Sequence, residues 1–295
     1  MDYTEEKRKK GEVQMQKNCF FMLTELFGEE GITDLAAIAY ADCHILRPYL
    51  AERLSFSPQT AVLFLVPYYA GACENISAYA AAKDYHLYMQ GLFSRLAPRL
   101  AESGYFFAGF SDHSPIDERT AAAAAGLGVI GENGLLIHPR HGSYVFIGEL
   151  LTDAPPAVMQ AAPPMPIGHC EGCGACRRAC PTGALREEGA PCLSAVTQKK
   201  GNLTAEEAAL ILKTGQVWGC DACQTVCPHN RRVLSDERAW TPISFFKEER
   251  LSSLTSEILS DMSEEAFSER AFSFRGREVL TRNLDLLYKK GASST

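Results

Sequence analysis

The sequence has no apolar stretch that approaches the ~20 residues a membrane-spanning helix needs. The apolar run from Ala61 to Val66 has only the length of a strand. The first residues, Asp2 to Glu6, are polar and do not resemble a secretory or transit signal. These absences predict a cytoplasmic protein with no membrane partner.

An excess of positive charge is also missing. Lys and Arg number 29 against 36 Asp and Glu, so the formal net charge is −7. This argues against a dedicated, strongly basic nucleic-acid-binding protein, because phosphate binding needs concentrated positive charge. The 295 residues, 46% hydrophobic and 22% charged, have a globular composition. This length predicts two domains, or one large domain with an appendage.

Several common enzyme motifs are absent. The sequence contains no H-E-x-x-H, Walker A or G-x-S-x-G motif. The letters G-x-G-x-x-G occur from Gly126 to Gly131, but they follow a predicted helix and not a strand. A dinucleotide site of the Rossmann type is therefore not indicated.

Eight of the eleven cysteines lie between Cys170 and Cys227. In a reducing compartment this clustering indicates metal binding or catalysis and not structural disulfides. The first four are spaced C-x2-C-x2-C-x3-C-P, as in bacterial ferredoxins, where the fourth cysteine binds a second 4Fe-4S cluster. Structural zinc, the alternative, favours two C-x2-C pairs.

Each 4Fe-4S cluster needs four cysteine ligands. The second motif, C-x2-C-x3-C-P, has only three, and Cys192 supplies the missing one. Because Cys227 precedes a proline as Cys180 does, we expect both to cross over to the other cluster. The predicted sets are Cys170, Cys173, Cys176 and Cys227 for the first cluster, and Cys180, Cys192, Cys220 and Cys223 for the second. Cys19, Cys43 and Cys73 lack such spacing and are predicted to be buried apolar residues.

Strands and helices alternate in the first half, which predicts a layered α/β or α+β domain. Helices are predicted at 5–27, 76–101, 117–125, 204–213, 256–270 and 276–290, and strands at 61–68, 105–110 and 144–151. Five prolines between Ala154 and Pro166 indicate a boundary or linker. We therefore expect three parts: residues 1–165, a double-cluster domain at 166–235, and a helical segment at 236–295.

Asp112 is the candidate acid of the first half, since it ends an aromatic strand before an alanine-rich helix. The alternative is that Asp112 or Ser114 caps this helix. Arg119 lies two helical turns further on and would lie beside the same site. A second candidate, Asp84-Tyr85-His86, carries suitable residue types. Adjacent residues of one helix point in different directions, however, and an exposed polar face is the simpler interpretation.

Taken together, these motifs resemble the epoxyqueuosine reductase family. The matching segments, in chain order, are Tyr79-Ala80 with Asp84-Tyr85-His86; Asp112 to Pro115 with Glu118-Arg119; Gly126-Leu127-Gly128 and Gly131; Gly142-Ser143-Tyr144 and Gly148-Glu149; Cys227 to Arg231; and Phe267 to Asn283. The chain is similar to a short form that lacks the HEAT-like C-terminal extension. Val129, Glu132 and His229 depart from the family pattern.

The resemblance implies an α+β fold: a cobalamin-binding domain similar to reductive dehalogenases, followed by a double 4Fe-4S ferredoxin-like domain. It implies reduction of epoxyqueuosine to queuosine in a tRNA anticodon stem-loop, with electrons from a flavodoxin- or ferredoxin-type donor. Asp112 would donate the proton and Arg119 would bind the substrate. Cofactor contacts would come from Tyr85, His86, Gly128, Gly131, Ser143 and Tyr144. Base-off cobalamin is expected, because no D-x-H-x-x-G segment offers a histidine ligand.

Two other functions stay open from the residues: a cobalamin-dependent reductase of a small molecule, and a ferredoxin-like electron carrier. A tRNA substrate needs local positive charge in an acidic chain. Six basic residues between 270 and 290, together with Arg231 and Arg232, suggest a basic strip for this purpose. The alternative is a solvated helix face with ordinary charge pairing.

Overall fold

The structure, a computed structural model, describes residues 19–292 and the side chains up to residue 288. Its first helix, α1, is Cys19–Glu29. This agrees with the second half of the helix predicted at 5–27, while residues 5–18 lie outside the described residues.

Four antiparallel strands form the main sheet, in the order β1-β2-β6-β3. Their bounds are Leu35–Ala39 for β1, Thr60–Pro67 for β2, Phe107–Ser111 for β3 and Val145–Thr152 for β6. A small hairpin pairs β4, Val129–Ile130, with β5, Leu136–Ile137. The strands predicted at 61–68, 105–110 and 144–151 are confirmed within two residues, whereas β1 was not predicted.

Strand β2 is buried on both of its faces. Its even-numbered residues from Val62 to Val66 share a core with α1 and with α3, Tyr85–Ala101. Its odd-numbered residues from Ala61 to Leu65 share a second core with α4, Glu118–Ala124. The sheet therefore lies between two helical layers, which explains why β2 is an unbroken apolar run and not an alternating one.

The remaining helices are short, except for the last. They are α2 Pro48–Ala51, α5 Ala175–Ala179, α6 Leu193–Thr197, α7 Ala205–Thr214, α8 Ala222–Thr225, α9 Pro228–Ser235, α10 Ser256–Asp261, α11 Glu264–Ser268 and α12 Arg277–Ala292. The helix predicted at 204–213 is confirmed as α7, and Thr204 and Glu207 form a capping box at its start with both hydrogen bonds present. The helix predicted at 256–270 is two helices, because Ser263 caps α11.

A third core joins the C-terminal helices to the segment before α3. Ile76 and Ala80 pack there with Trp218, Phe272 and Leu280. No helix or strand forms between residues 154 and 166, as predicted. Among the described residues, no helix is long and apolar enough to cross a membrane. The predicted boundaries at 165 and 235 stay predictions.

Candidate active site

The acid predicted at the end of β3 lies in a tight loop. Asp112 has a backbone φ of +61°, a left-handed conformation that Asp tolerates better than most residues. The Tyr85 hydroxyl donates a hydrogen bond to Asp112 Oδ2. His86 Nε2 lies 3.6 Å from the same oxygen. The structure thus brings the first two residues of α3 to the candidate acid.

Asp84 orients the side chains that contact Asp112. It is the N-cap of α3: its Oδ1 accepts a hydrogen bond from the His86 N–H at 2.9 Å and lies 2.8 Å from His86 Nδ1. The predicted helix over 76–101 was therefore wrong at its start, since α3 begins at Tyr85. The expectation that the three residues are separated on a helix surface was wrong for the same reason, because a capping side chain folds back over the first turn.

Several carboxyl groups lie close to Asp112. Partial desolvation by the surrounding protein, and then the charge of Asp84, raise the pKa of the Asp112 carboxyl group. The Asp112 side chain is still 58% exposed, so a substrate can reach it. Burial also raises the pKa of Glu118 to about 7, and Asp112 and Asp117 add to this rise. Raised pKa values keep more of these groups protonated near neutral pH, as a proton donor requires.

A buried carboxyl group, missed from the sequence, lies beneath the Asp112 loop. Glu149 in β6 is 1% exposed and pairs in register with Phe110 of β3. Its Oε1 accepts a hydrogen bond from Ser114 Oγ, and its Oε2 has no partner among the described residues. Burial raises the pKa of Glu149 to about 8. The sequence did carry a signal for this group, since Glu149 is the one charged residue in an otherwise apolar strand.

Helix α4 is capped by Asp117, whose side chain accepts hydrogen bonds from two backbone N–H groups of the first turn. The capping alternative for Asp112 and Ser114 is therefore wrong. Arg119 is half exposed, with Nε 3.7 Å from Asp117 Oδ1. Its Nη1 donates a hydrogen bond to the Gly134 carbonyl oxygen at 3.0 Å. Arg119 thus contacts the loop between β4 and β5, and its contact with a substrate stays a prediction.

The two glycines predicted to contact a cofactor both lie close to neighbouring atoms. A Cβ atom on Gly128 would lie 2.6 Å from the Ile137 carbonyl oxygen, so a side chain there would push β4 from β5. A Cβ atom on Gly131 would collide with the Asn133 side chain. Packing accounts for Gly128, whereas the atoms nearest to Gly131 are side-chain ends that can shift. The contact of either glycine with a cofactor is untested.

Ser143 and Tyr144 are both buried. Ser143 Oγ donates a hydrogen bond to Gln224 Oε1 at 2.9 Å, and its N–H donates to Asn230 Oδ1 at 2.8 Å. These bonds connect the start of β6 to the last cysteine motif. Tyr144 lines a cavity. Ser143, in contrast, makes its hydrogen bonds to other residues of the protein.

The first predicted cysteine set surrounds one recess. Cys170, Cys173, Cys176 and Cys227 all line it, with Gly131, Glu132 and His229 on its rim. The Glu132 N–H donates a hydrogen bond to Cys170 Sγ at 3.4 Å. Four thiols around one recess fit the donor set of a 4Fe-4S cluster.

The second predicted set also lies together. Burial, followed by the nearby Cys192 and Cys180, raises the pKa of the Cys220 thiol. Burial and then Cys220 and Cys192 raise the pKa of Cys223 to about 12, against a smaller lowering by the Asn133 side chain. Buried thiols resist ionisation unless a metal supplies positive charge, and bound metal deprotonates its thiol ligands. This set therefore also fits a cluster.

A cavity adjoins the second cysteine set. Its wall includes Ala78, Tyr144, Leu193, Cys220 and Asp221. The Asp221 side chain accepts hydrogen bonds from Ser77 Oγ at 2.5 Å and from the Ala78 N–H at 2.7 Å. The segment before α3, which leads to Tyr85, is thereby tied to the cluster region.

The basic strip suggested for residues 270–290 is wrong for three of its arginines. Each uses its guanidinium group to bind main-chain carbonyl oxygens, at distances of 2.5–3.3 Å. Arg270 bonds Ala81 and Glu249, Arg277 bonds Leu259, Met262 and Ser263, and Arg282 bonds Lys199 and Gly201. The side chains of Lys289 and Lys290 lie outside the described ones.

Comparison with known proteins gives independent support for the cysteine region. The profile of a 4Fe-4S double cluster binding domain matches residues 169–230. This range contains all eight clustered cysteines. This match confirms the prediction of two 4Fe-4S clusters. The assignment of each cysteine to a cluster is untested.

The similar curated proteins are named epoxyqueuosine reductase. The Pseudomonas aeruginosa protein is 41% identical over 163 residues, which cover 53% of this chain and 44% of that protein. The Leadbetterella byssophila protein is 31% identical over 261 residues, which cover 84% and 83%. The chain thus spans about half the length of several curated relatives that it matches, and most of the length of this second one.

Solved structures agree with the fold. A crystal structure of epoxyqueuosine reductase with an epoxyqueuosine-modified tRNA-Tyr stem loop has a TM-score of 0.72 at 23% identity. The match covers 92% of this chain and 81% of that one. The predicted α+β fold class is confirmed.

Proposed function

Because the chain belongs to the epoxyqueuosine reductase family, as its motifs predicted, we propose that it reduces the epoxide of epoxyqueuosine in tRNA to the alkene of queuosine. One observation carries the proposal: Asp112, accessible and with a raised pKa, is held by Tyr85 and His86. A relative crystallised with a modified tRNA stem loop supports tRNA as the substrate.

The reaction removes the epoxide oxygen as water, and this consumes two electrons and two protons. Tyr85 and His86 both contact Oδ2 of Asp112. We therefore assign proton transfer to Oδ1, which is left for the substrate. The Tyr85 hydroxyl then stabilises the carboxylate that remains, and a proton from solvent restores the acid. The restored acid delivers the second proton, so that the oxygen leaves as water.

Cobalamin is the proposed resident cofactor, and it would supply low-valent cobalt for the reduction. We place it in the cavity beside Cys220, which Tyr144, a predicted cofactor contact, also lines, and none of whose described lining residues is a histidine. This agrees with binding in the base-off form. Burial raises the pKa of Tyr79 to about 12, and the charges of Asp221, Asp84 and Asp112 add to this rise. These three carboxylates thus act on the hydroxyl group of Tyr79, the residue after Ala78 of the cavity wall.

Electrons would reach the substrate through the sites held by the two cysteine sets. Cys220 lines the proposed cobalamin cavity, so the second set is the nearer one. Cys173 of the first set is exposed, and this is where we place electron entry from a flavodoxin- or ferredoxin-type donor. A cytoplasmic location, where tRNA and such donors meet, is part of the proposal.

The test uses the anaerobically reconstituted protein with cobalamin, a reductant and an anticodon stem-loop that carries epoxyqueuosine. Mass spectrometry should show loss of one oxygen from the RNA. The Asp112→Asn variant, loaded equally with iron and cobalamin, is the matched control and should lose most of this activity. If the loaded wild-type protein leaves the stem-loop unchanged yet reduces a small epoxide, the substrate is not tRNA.

A further inference from the structure

A short segment before β2 is bound to the chain that follows Asp112. The Leu46 and Arg47 N–H groups donate hydrogen bonds to the Pro115 carbonyl oxygen at 2.8 and 3.0 Å. The Asp117 N–H donates to the His44 carbonyl oxygen at 2.9 Å. Residues 44–53, here called the rim segment, are therefore held beside the candidate acid by main-chain bonds.

The rim segment exposes large apolar side chains at this position. Ile45 is 37% exposed, Leu46 is 47% exposed and Tyr49 is 43% exposed. The Tyr49 hydroxyl lies 3.4 Å from Nε2 of His113, the residue directly after Asp112. An exposed aromatic ring thus lies beside the loop that carries the candidate acid.

Two guanidinium groups accompany this ring. The Arg53 guanidinium carbon lies 5.3 Å from the centre of the Tyr49 ring. Arg47 Nη1 donates to the Ser114 carbonyl oxygen at 3.2 Å. Among the described residues, neither arginine has a carboxylate partner within ion-pair distance. The segment carries Glu52 against its two arginines, and Asp42 lies just before it, so the attraction for phosphate here is short-ranged.

We propose that Tyr49 is a stacking platform for a nucleobase next to the modified nucleotide, with Arg47 and Arg53 placed to meet the adjoining phosphates. The inference rests on the proposed function and names the RNA contact of the same site. Single-stranded RNA is recognised by stacking its bases on aromatic rings and guanidinium planes. A nucleotide whose epoxide reaches Asp112 places its neighbours on the surface around that loop, and the rim segment is one side of this surface.

The proposal commits to single-stranded RNA for chemical reasons. An exposed apolar patch alone would also suit a protein partner. A ring with a guanidinium over it, beside a second arginine without a carboxylate partner, matches a base and its phosphates better than a purely apolar surface.

The test places 2-aminopurine beside the modified nucleotide in the stem-loop and follows its fluorescence as the reconstituted protein binds. Wild-type protein should quench the fluorescence by stacking. Tyr49→Ala should abolish the quenching and raise both the Kd and the KM about ten-fold, as expected for the loss of one stacked base. The kcat should not change, since the loop of Asp112 is held by main-chain bonds. Tyr49→Phe keeps the ring and should behave almost as wild type.

Phe106→Ala is the matched control. Phe106 is also an exposed aromatic residue, at 58%, but it precedes β3 whereas Asp112 follows it. This variant should bind and quench as wild type does. If Tyr49→Ala, with normal iron and cobalamin content, also binds and quenches normally, the rim has another occupant and the inference is wrong. If wild-type protein binds no stem-loop even at low salt, the proposed tRNA substrate fails and the inference fails with it.

Discussion

Replacing Asp112 with asparagine separates its role as an acid from its structural role. Asparagine adopts the left-handed φ of +61° as readily as aspartate does. The side-chain oxygen of the amide can still accept the Tyr85 hydrogen bond. Helix α4 keeps its cap, because Asp117 and not Asp112 provides it. We therefore expect Asp112→Asn to retain wild-type stability, iron and cobalamin.

Only the transferable proton is lost in this variant. Positioned general acids contribute about 10²–10⁴-fold to rate, so single turnover of the stem-loop should slow by at least about 100-fold, or about 2.7 kcal/mol of activation free energy. Burial and Asp84 raise the pKa of Asp112. Wild-type turnover should therefore fall as the pH rises through this pKa, and the residual rate of the variant should lack that fall.

Asp117→Asn is the control, since it makes the same chemical change five residues later and keeps a good capping residue. It should leave both turnover and stability near wild type. Wild-type turnover in Asp112→Asn, with normal cofactor content, would refute the reasoning and leave Asp112 with no role in the chemistry.

Three other predictions follow from the site and its surroundings. Cys192→Ala should reduce iron below the roughly eight atoms of two cubanes, whereas Cys19→Ala, a core residue outside the motifs, should keep them all; full iron in the first variant would contradict the ligand sets. Because burial raises the pKa of Glu149 to about 8, wild-type stability should fall as the pH rises from about 4.5 towards 8. Glu149→Gln should remove this part of the pH dependence in urea unfolding, and an unchanged slope would mean that the carboxyl group is ionised in the folded protein. Arg282→Ala should lower stability by about 2 kcal/mol, because it removes charged hydrogen bonds to the Lys199 and Gly201 carbonyl oxygens; a lower affinity for RNA with unchanged stability would instead restore the basic-strip hypothesis.

Elements with strong local signals were predictable from the sequence. Strand β2 is unbroken and apolar, and α7 has a capping box, so both were found close to their bounds. Strand β1 was missed because it reads Leu-Ala-Ala-Ile-Ala, in which alanine favours a helix. Its strand conformation comes from pairing with β2, a contact that no local pattern reveals.

The candidate site was predictable residue by residue but not as an arrangement. Asp112 was found from its position at the end of a strand. Its contacts with Tyr85 and His86 depend on where α3 begins, and placing that start nine residues early hid the cap at Asp84. Glu149 was hidden for a different reason: the pairing of β6 with β3, which places it under the Asp112 loop, is a long-range register.

The arginines show why a count of charges does not locate a nucleic-acid surface. A guanidinium group has five N–H donors, so it can bind several carbonyl oxygens where loops and helix ends meet. Arg270, Arg277 and Arg282 do so with bonds to two or three carbonyl oxygens each, whereas Arg47 makes one such bond. Arg47 and Arg53 belong to no basic cluster in the sequence. Because they lie at Tyr49 and Ser114 with no carboxylate partner among the described residues, they are better placed to meet the RNA of the proposed function than the denser group that the sequence suggested.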